Sequence, residues 1–207
     1  MIAVVDYGVG NISAFLNIYK RLNIPAYAAR TAEDLRPATR VILPGVGAFD
    51  HAMAKLRASG MLDTLDELVC QRKVPALGVC VGMQMLAKAS EEGVLPGFNW
   101  IDGVVRRFDA AAIPYRTKFP HMGWNDVKAV RPSPLLDGLD VGARFYFLHS
   151  YYFDCEREAD VLGTAVYGQT FAAIVNRDNI FGIQCHPEKS HESGVALLRN
   201  FATFQPC

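Results

Sequence analysis

The chain has 207 residues, 21 Lys plus Arg against 21 Asp plus Glu, and 51% hydrophobic residues. That length can bury a substantial core and predicts one domain over residues 1–207. The balanced charge argues against nucleic acid or an anionic membrane as the main partner, and no run approaches the roughly 18 consecutive apolar residues of a membrane span.

MIAVVDYGVGN has no basic segment and only a short apolar run, so it reads as a buried strand over 2–6 rather than an export signal. Ile12, Phe15, Leu16, Tyr19 and Leu22 then recur at helical spacing. A second strand is expected at 25–28, and a third at VILPG (41–45), stopped by Pro and Gly. Helices are expected over 48–58 and 61–72, separated by Gly60. PALGVC (75–80) reads as another buried strand, with VGMQMLAKAS starting a helix directly after it. This alternation predicts an α/β fold with a mainly parallel sheet flanked by helices. From about 100 to 185 the segments are short, β-rich and turn-punctuated, which predicts an antiparallel β extension. RPSPLLDG (131–138) reads as a surface connection. SHESGVALLRNFATF closes as a helix, with Ser190 a candidate N-cap.

The five cysteines are Cys70, Cys80, Cys155, Cys185 and Cys207, with no CxxC pair. Free thiols in a reducing cytoplasm follow as the expectation. No histidine spacing argues for a metal, and none is expected.

Ligands of open parallel sheets bind outside the carboxyl ends of the strands, and the turns after residues 43 and 79 are glycine-rich. Gly78-Val79-Cys80-Val81-Gly82 has the form Gly-x-nucleophile-x-Gly between a strand and a helix. A nucleophile on so sharp a turn needs small neighbours two residues away. The following helix N-terminus favours the reactive thiolate. From the pentapeptide alone, a buried structural cysteine stays open beside the nucleophile. Acyl transfer also needs a base, and His149 and His186 both end apolar strands. Glu188 lies two residues beyond His186, where a turn at Pro187 can bring its carboxylate to the imidazole, so His186–Glu188 is the better pair. His51 and His191 read as surface residues. An oxyanion would find the N–H of Val81 and a second donor in the Pro44-Gly45-Val46-Gly47 loop.

LPGVGAF, LGVCVGMQ, PHMGWN, HSYY and QCHPEKS occur in that order. Together they resemble class I (triad-type) glutamine amidotransferases, and among these the glutaminase subunits of imidazole glycerol phosphate synthases. The likeness runs from DYGVGN to the final LLRNF. It implies a flavodoxin-like sheet and a triad at Cys80, His186 and Glu188. It implies oxyanion donors at Val46, Gly47 and Val81, and glutamine contacts at Gly47, Gln84, Ser150 and Tyr151. It implies no cofactor, and a (β/α)8-barrel cyclase partner in a heterodimer, with Asn11, His121, Met122, Trp124 and Asn125 as interface candidates. Family relatives that supply ammonia to sugar-nucleotide amination in surface-polysaccharide pathways keep a second acceptor open. Intact Cys80, His186 and Glu188 argue against a silent regulatory subunit. PHMGWN argues against another cysteine hydrolase. One departure is Cys185 where the family pattern usually has Phe. It precedes the histidine in an extended segment, so it is expected to face away and pack.

Overall fold

The computed structural model describes residues 1–139 and 142–205; Cys207 lies outside them. The amino-terminal half runs β1 (Ile2–Val5), α1 (Ile12–Arg21), β2 (Ala26–Ala29), α2 (Ala32–Leu35), β3 (Arg40–Gly45), α3 (Phe49–Ala58), α4 (Leu62–Asp66), β4 (Ala76–Cys80) and α5 (Val81–Gln84). The remainder runs β5 (Ala89–Ser90), β6 (Gly103–Arg107), β7 (His121–Asp126), β8 (Lys128–Ala129), β9 (Arg144–His149), β10 (Tyr151–Cys155), β11 (Val161–Tyr167), β12 (Gln169–Arg177), β13 (Ile180–Ile183) and α6 (His191–Thr203). The main sheet has the order β2-β1-β3-β4-β13-β12-β10-β6-β5, with β11 beside β12 and β8, while β7 and β9 form a separate pair.

The helical stripe read for α1 is the face it buries: Phe15, Ile18 and Tyr19 are buried and Ile12, Leu16 and Leu22 pack against the core. Asn11 caps the helix, its side chain accepting from the Ala14 N–H. The strands β1 and β4 are buried along their whole length, as strands covered on both faces must be.

The structure differs from the sequence reading at three places. First, β13 is not part of an antiparallel extension. It pairs in parallel with β4, Ile183 opposite Val79, and antiparallel with β12. Its four residues are all buried, the mark of a central parallel strand rather than a half-exposed one. Second, the helix after Cys80 is a single turn. Phe98 and Asn99 donate to the Met85 and Ala87 carbonyls, and the chain then enters β5. Third, the helix expected over 61–72 is α-helical over Leu62–Asp66 and continues as a π-helix over Glu67–Gln71. The 131–138 segment is a surface connection, anchored by fully buried Leu135 and by Asn200 on α6, which donates to the Leu135 and Asp137 carbonyls.

Candidate active site

Adjacent parallel strands end side by side, so β4 and β13 deliver their C-terminal residues to one place. Cys80 ends β4 at φ 55°, ψ −112°, a strained conformation for a residue with a side chain. Three glycines make room for it. A Cβ on Gly78 would lie 2.5 Å from the Gly82 carbonyl oxygen, one on Gly82 1.9 Å from the Leu43 carbonyl oxygen, and one on Gly45 2.4 Å from the Gly82 nitrogen. The small neighbours expected of an elbow are therefore required by backbone packed on backbone.

His186 follows β13 through an extended step. Its N–H donates to the Tyr146 carbonyl on β9 at 2.8 Å. Pro187–Lys189 forms a 3-10 turn that carries Glu188 back to the ring. A carboxylate only accepts, so the 2.9 Å contact between His186 Nδ1 and Glu188 Oε1 fixes the proton on Nδ1. Nε2 is left for the Cys80 thiol, which lines the same cavity as the ring. Burial opposes charge on this imidazole. The bonds and charges of Cys80 and Glu188 outweigh it and raise the His186 pKa to about 10. Ser190 sits at the N-cap position of α6 but does not cap it. Its hydroxyl donates to the His186 carbonyl at 2.6 Å and accepts from the Tyr146 N–H at 2.9 Å, clamping the turn to β9.

A cavity of about 370 Å³ opens over this pair. Val46, Gly47, Cys80, Val81, Gln84, Ser150, Tyr151 and His186 line it, bringing together all the expected site residues except Glu188, which supports His186 from behind. Gly47 has φ +82°, and the Tyr7 hydroxyl anchors the start of its loop by donating to the Pro44 carbonyl at 2.7 Å. Gln84 is more constrained than a free ligand contact. Its Nε2 donates to the Tyr151 carbonyl at 3.2 Å and to Gln184 Oε1 at 3.1 Å, which leaves Oε1 for a ligand.

Residues that motif reading missed are Glu92, Lys189 and Gln184. Glu92 reaches the cavity wall while accepting from the Phe49 N–H at 2.9 Å, capping α3 from across the site. Cys185 is buried and its thiol pKa is pushed well up, first by burial and then by the charges of Glu188 and Cys80, which makes it a poor nucleophile. Among the described residues, no group of three or more His, Cys, Asp or Glu side chains could hold a metal. No helix there is long and apolar enough to cross a membrane.

Of the surface candidates, Met122 and Trp124 are 64% and 39% exposed, Asn11 is exposed and Asn125 is half-buried. His121 is a correction: it is 4% exposed and lies beneath that surface, stacked on Phe147 and Tyr167. Its Nδ1 meets His149 Nε2 at 2.9 Å, and His149 Nδ1 meets the Tyr151 carbonyl at 2.7 Å. A carbonyl only accepts, so both rings carry their proton on Nδ1. Burial lowers the His121 pKa to about 4; burial and then the His121 charge lower that of His149 to about 3. Both are therefore neutral near pH 7. Below about 6.5 the unfolded chain takes up protons that the folded pair refuses, so the stability present above that pH is lost toward pH 4. For fully buried His149 the expected loss is about 1.4 kcal/mol per pH unit. Thermal midpoints from pH 7 to 4 should fall less steeply in His149→Gln; equal slopes would remove the pair as the source.

A thiol, an imidazole on it and a carboxylate behind that ring can carry out acyl transfer. Known proteins with this likeness agree with that chemistry. Residues 4–203 match the family model "Glutamine amidotransferase class-I". The chain is 56% identical to the imidazole glycerol phosphate synthase subunit HisH of Bdellovibrio bacteriovorus, over 98% of this chain and 99% of that protein. It is 52% identical to the subunit of the same name from Leptospira interrogans, over 98% and 100%. Among solved structures, a glutamine amidotransferase superposes with a TM-score of 0.73 at 22% identity, covering 97% of this chain and 96% of that one. A glutamine amidotransferase from Thermotoga maritima gives 0.63 at 18%, covering 90% and 75%. The chain belongs to the class I glutamine amidotransferase family.

Proposed function

We propose that this chain is the glutaminase subunit of an imidazole glycerol phosphate synthase in histidine biosynthesis, acting as one domain over residues 1–207. The observation that carries the chemistry is His186, bonded to Glu188 and sharing the wall of one cavity with Cys80. The pathway rests on the full-length likeness to HisH subunits. The Cys80 thiolate attacks the side-chain carbonyl of L-glutamine. The oxyanion forms against backbone N–H groups of Val81 and of the Val46–Gly47 loop. His186 protonates the departing nitrogen, the C–N bond breaks, and ammonia leaves a thioester on Cys80. His186 then takes a proton from water, which attacks the thioester and releases glutamate and the thiol. Glu188 keeps the ring in the right tautomer and stabilises its charge. Gly47, Gln84 through its Oε1, Ser150 and Tyr151 hold the amino acid. No metal or organic cofactor enters these steps.

Ammonia set free in neutral water becomes ammonium, which is no nucleophile. The reading therefore includes a (β/α)8-barrel cyclase subunit in a heterodimer that receives ammonia under cover, in the cytoplasm. Exposed Met122 and Trp124, with Asn125 and Asn11, supply a surface for it. The test is reconstitution with such a cyclase and its ribonucleotide substrate, comparing glutamine with ammonium salts as nitrogen source. Glutamine-dependent product is expected only with both chains present, and slow turnover from this chain alone. Full-speed turnover by the isolated chain would refute the coupling. No glutamate from the pair would refute the glutaminase reading.

A further inference from the structure

Beside the triad, a second side chain reaches the Cys80 sulfur. Gln184 Nε2 lies 3.8 Å from Cys80 Sγ, within hydrogen-bonding reach of a sulfur acceptor. Gln184 is wholly buried, and it stands two residues before His186 in the bend that follows β13. That bend brings Gln184 to the sulfur while His186 lines the cavity beside Cys80.

The orientation of this amide is not free. The Tyr151 carbonyl can only accept, so the atom of Gln84 that meets it at 3.2 Å must be the nitrogen. The other hydrogen of that nitrogen then points to Gln184, 3.1 Å away, which must present its oxygen. Gln184 is left with its NH2 group toward sulfur. The Tyr151 carbonyl is held in turn by His149 Nδ1, His149 by His121, and His121 Nε2 by Asn125 Nδ2 at 3.2 Å. The Tyr151 carbonyl, which only accepts, thus fixes donor and acceptor roles in two directions, through Gln84 to the sulfur and through His149 to His121. A buried amide that could flip would offer the thiolate an oxygen half the time. This one cannot flip without orphaning Gln84 in the interior, a large penalty.

We propose that Gln184 is a thiolate-stabilising donor for Cys80, and that Gln84 is the positioning residue that fixes which end of its amide faces the sulfur. This rests on Cys80 being the nucleophile. A donor placed on the sulfur favours its anion before glutamine arrives and holds it in line with the cavity. The other ionisable groups around the sulfur are His186 with Glu188 behind it, Tyr7 after β1 and Cys185, with Glu92, His149, Tyr151 and Lys189 on the walls of the same cavity.

Alkylation of the intact protein by iodoacetamide, read on the Cys80 peptide by mass spectrometry across pH, tests it without glutamine. Cys70 and Cys155 are partly accessible free thiols and serve as internal references. Gln184→Met keeps the volume and removes the donor. It should slow Cys80 alkylation at pH 7 on the order of tenfold and move the profile to higher pH. Gln184→Glu keeps the shape and places a carboxylate beside the thiolate, and it should be slower still. Gln84→Met should give a smaller effect in the same direction. In glutamine turnover of the complex, kcat of Gln184→Met should fall with KM little changed, a split that mere loosening of the cavity would not give. Wild-type alkylation profiles in Gln184→Met and Gln184→Glu would overturn the proposal. A wild-type Cys80 no more reactive than Cys70 would instead overturn the nucleophile reading, and this one with it.

Discussion

Cys80→Ala should reduce glutamine hydrolysis on the order of 10⁴-fold or more, measured as glutamate release in the presence of the cyclase partner. The size follows from what the thiol supplies. Without it no thioester can form, and His186 and Glu188 have no proton to move from the nucleophile. What remains is a cavity and backbone donors that still favour a tetrahedral oxyanion but leave the attack to water. Trapping with labelled glutamine should give a covalent adduct in the wild type and none in the variant. Residues that act as a unit do not add, so Cys80→Ala combined with His186→Ala should lose no more than the worse single change. His149→Ala should retain a measurable part of the activity, because its ring bonds to His121 and the Tyr151 carbonyl rather than to the thiol. Comparable turnover by Cys80→Ala would sink the catalytic assignment.

Gly82→Ala should be among the most damaging single methyl groups in the molecule. The new Cβ would sit 1.9 Å from the Leu43 oxygen and 2.9 Å from its carbonyl carbon. Neither is the end of a flexible side chain. Both belong to β3, which is paired with β4 from Val41 to Gly45. Relief requires β3 and the elbow to part, breaking ladder hydrogen bonds and opening a core that is otherwise closely packed. A loss of about 4 kcal/mol or more is the expected scale, among the largest single-site effects. Denaturant midpoints measure it. A folded Gly82→Ala protein of wild-type stability would mean that the close approach of α5 to β3 is not as described.

Much of this was legible in the chain. The apolar runs at β1, β3 and β4 and their glycine-rich ends announced a parallel sheet with ligands at its carboxyl edge. Gly78 and Gly82 around Cys80 announced the elbow, because the steric demand is local. His186 and Glu188 could be paired from spacing alone, since a proline-initiated turn closes over two residues. What could not be read was decided by long-range partners. Nothing in NIFGI says that β13 slots beside β4, since a buried apolar run is the same text in either strand direction. Ser190 looks like a helix cap, and only the position of Tyr146 reveals that its hydroxyl is engaged elsewhere. His121 shares a motif with Met122 and Trp124, yet strand alternation places neighbours on opposite faces and sends it inward. Gln184 stands in QCHPEKS, but its role could not be read there, because an amide's role depends on which of its ends other groups demand.

The slot between β4 and β12 has a consequence for how the protein comes together. Gln184 and Cys80 are 104 positions apart, so the strand bearing the base closes a very long loop when it docks. Closing such a loop costs entropy before any contact repays it, and topologies of this kind fold slowly. The elbow, by contrast, is built within the continuous stretch from β3 to α5. During synthesis and folding, the thiol therefore exists for a time without the imidazole that would switch it on. Reactivity therefore waits on the docking of β13 between β4 and β12, the same step that closes the interior around the thiol.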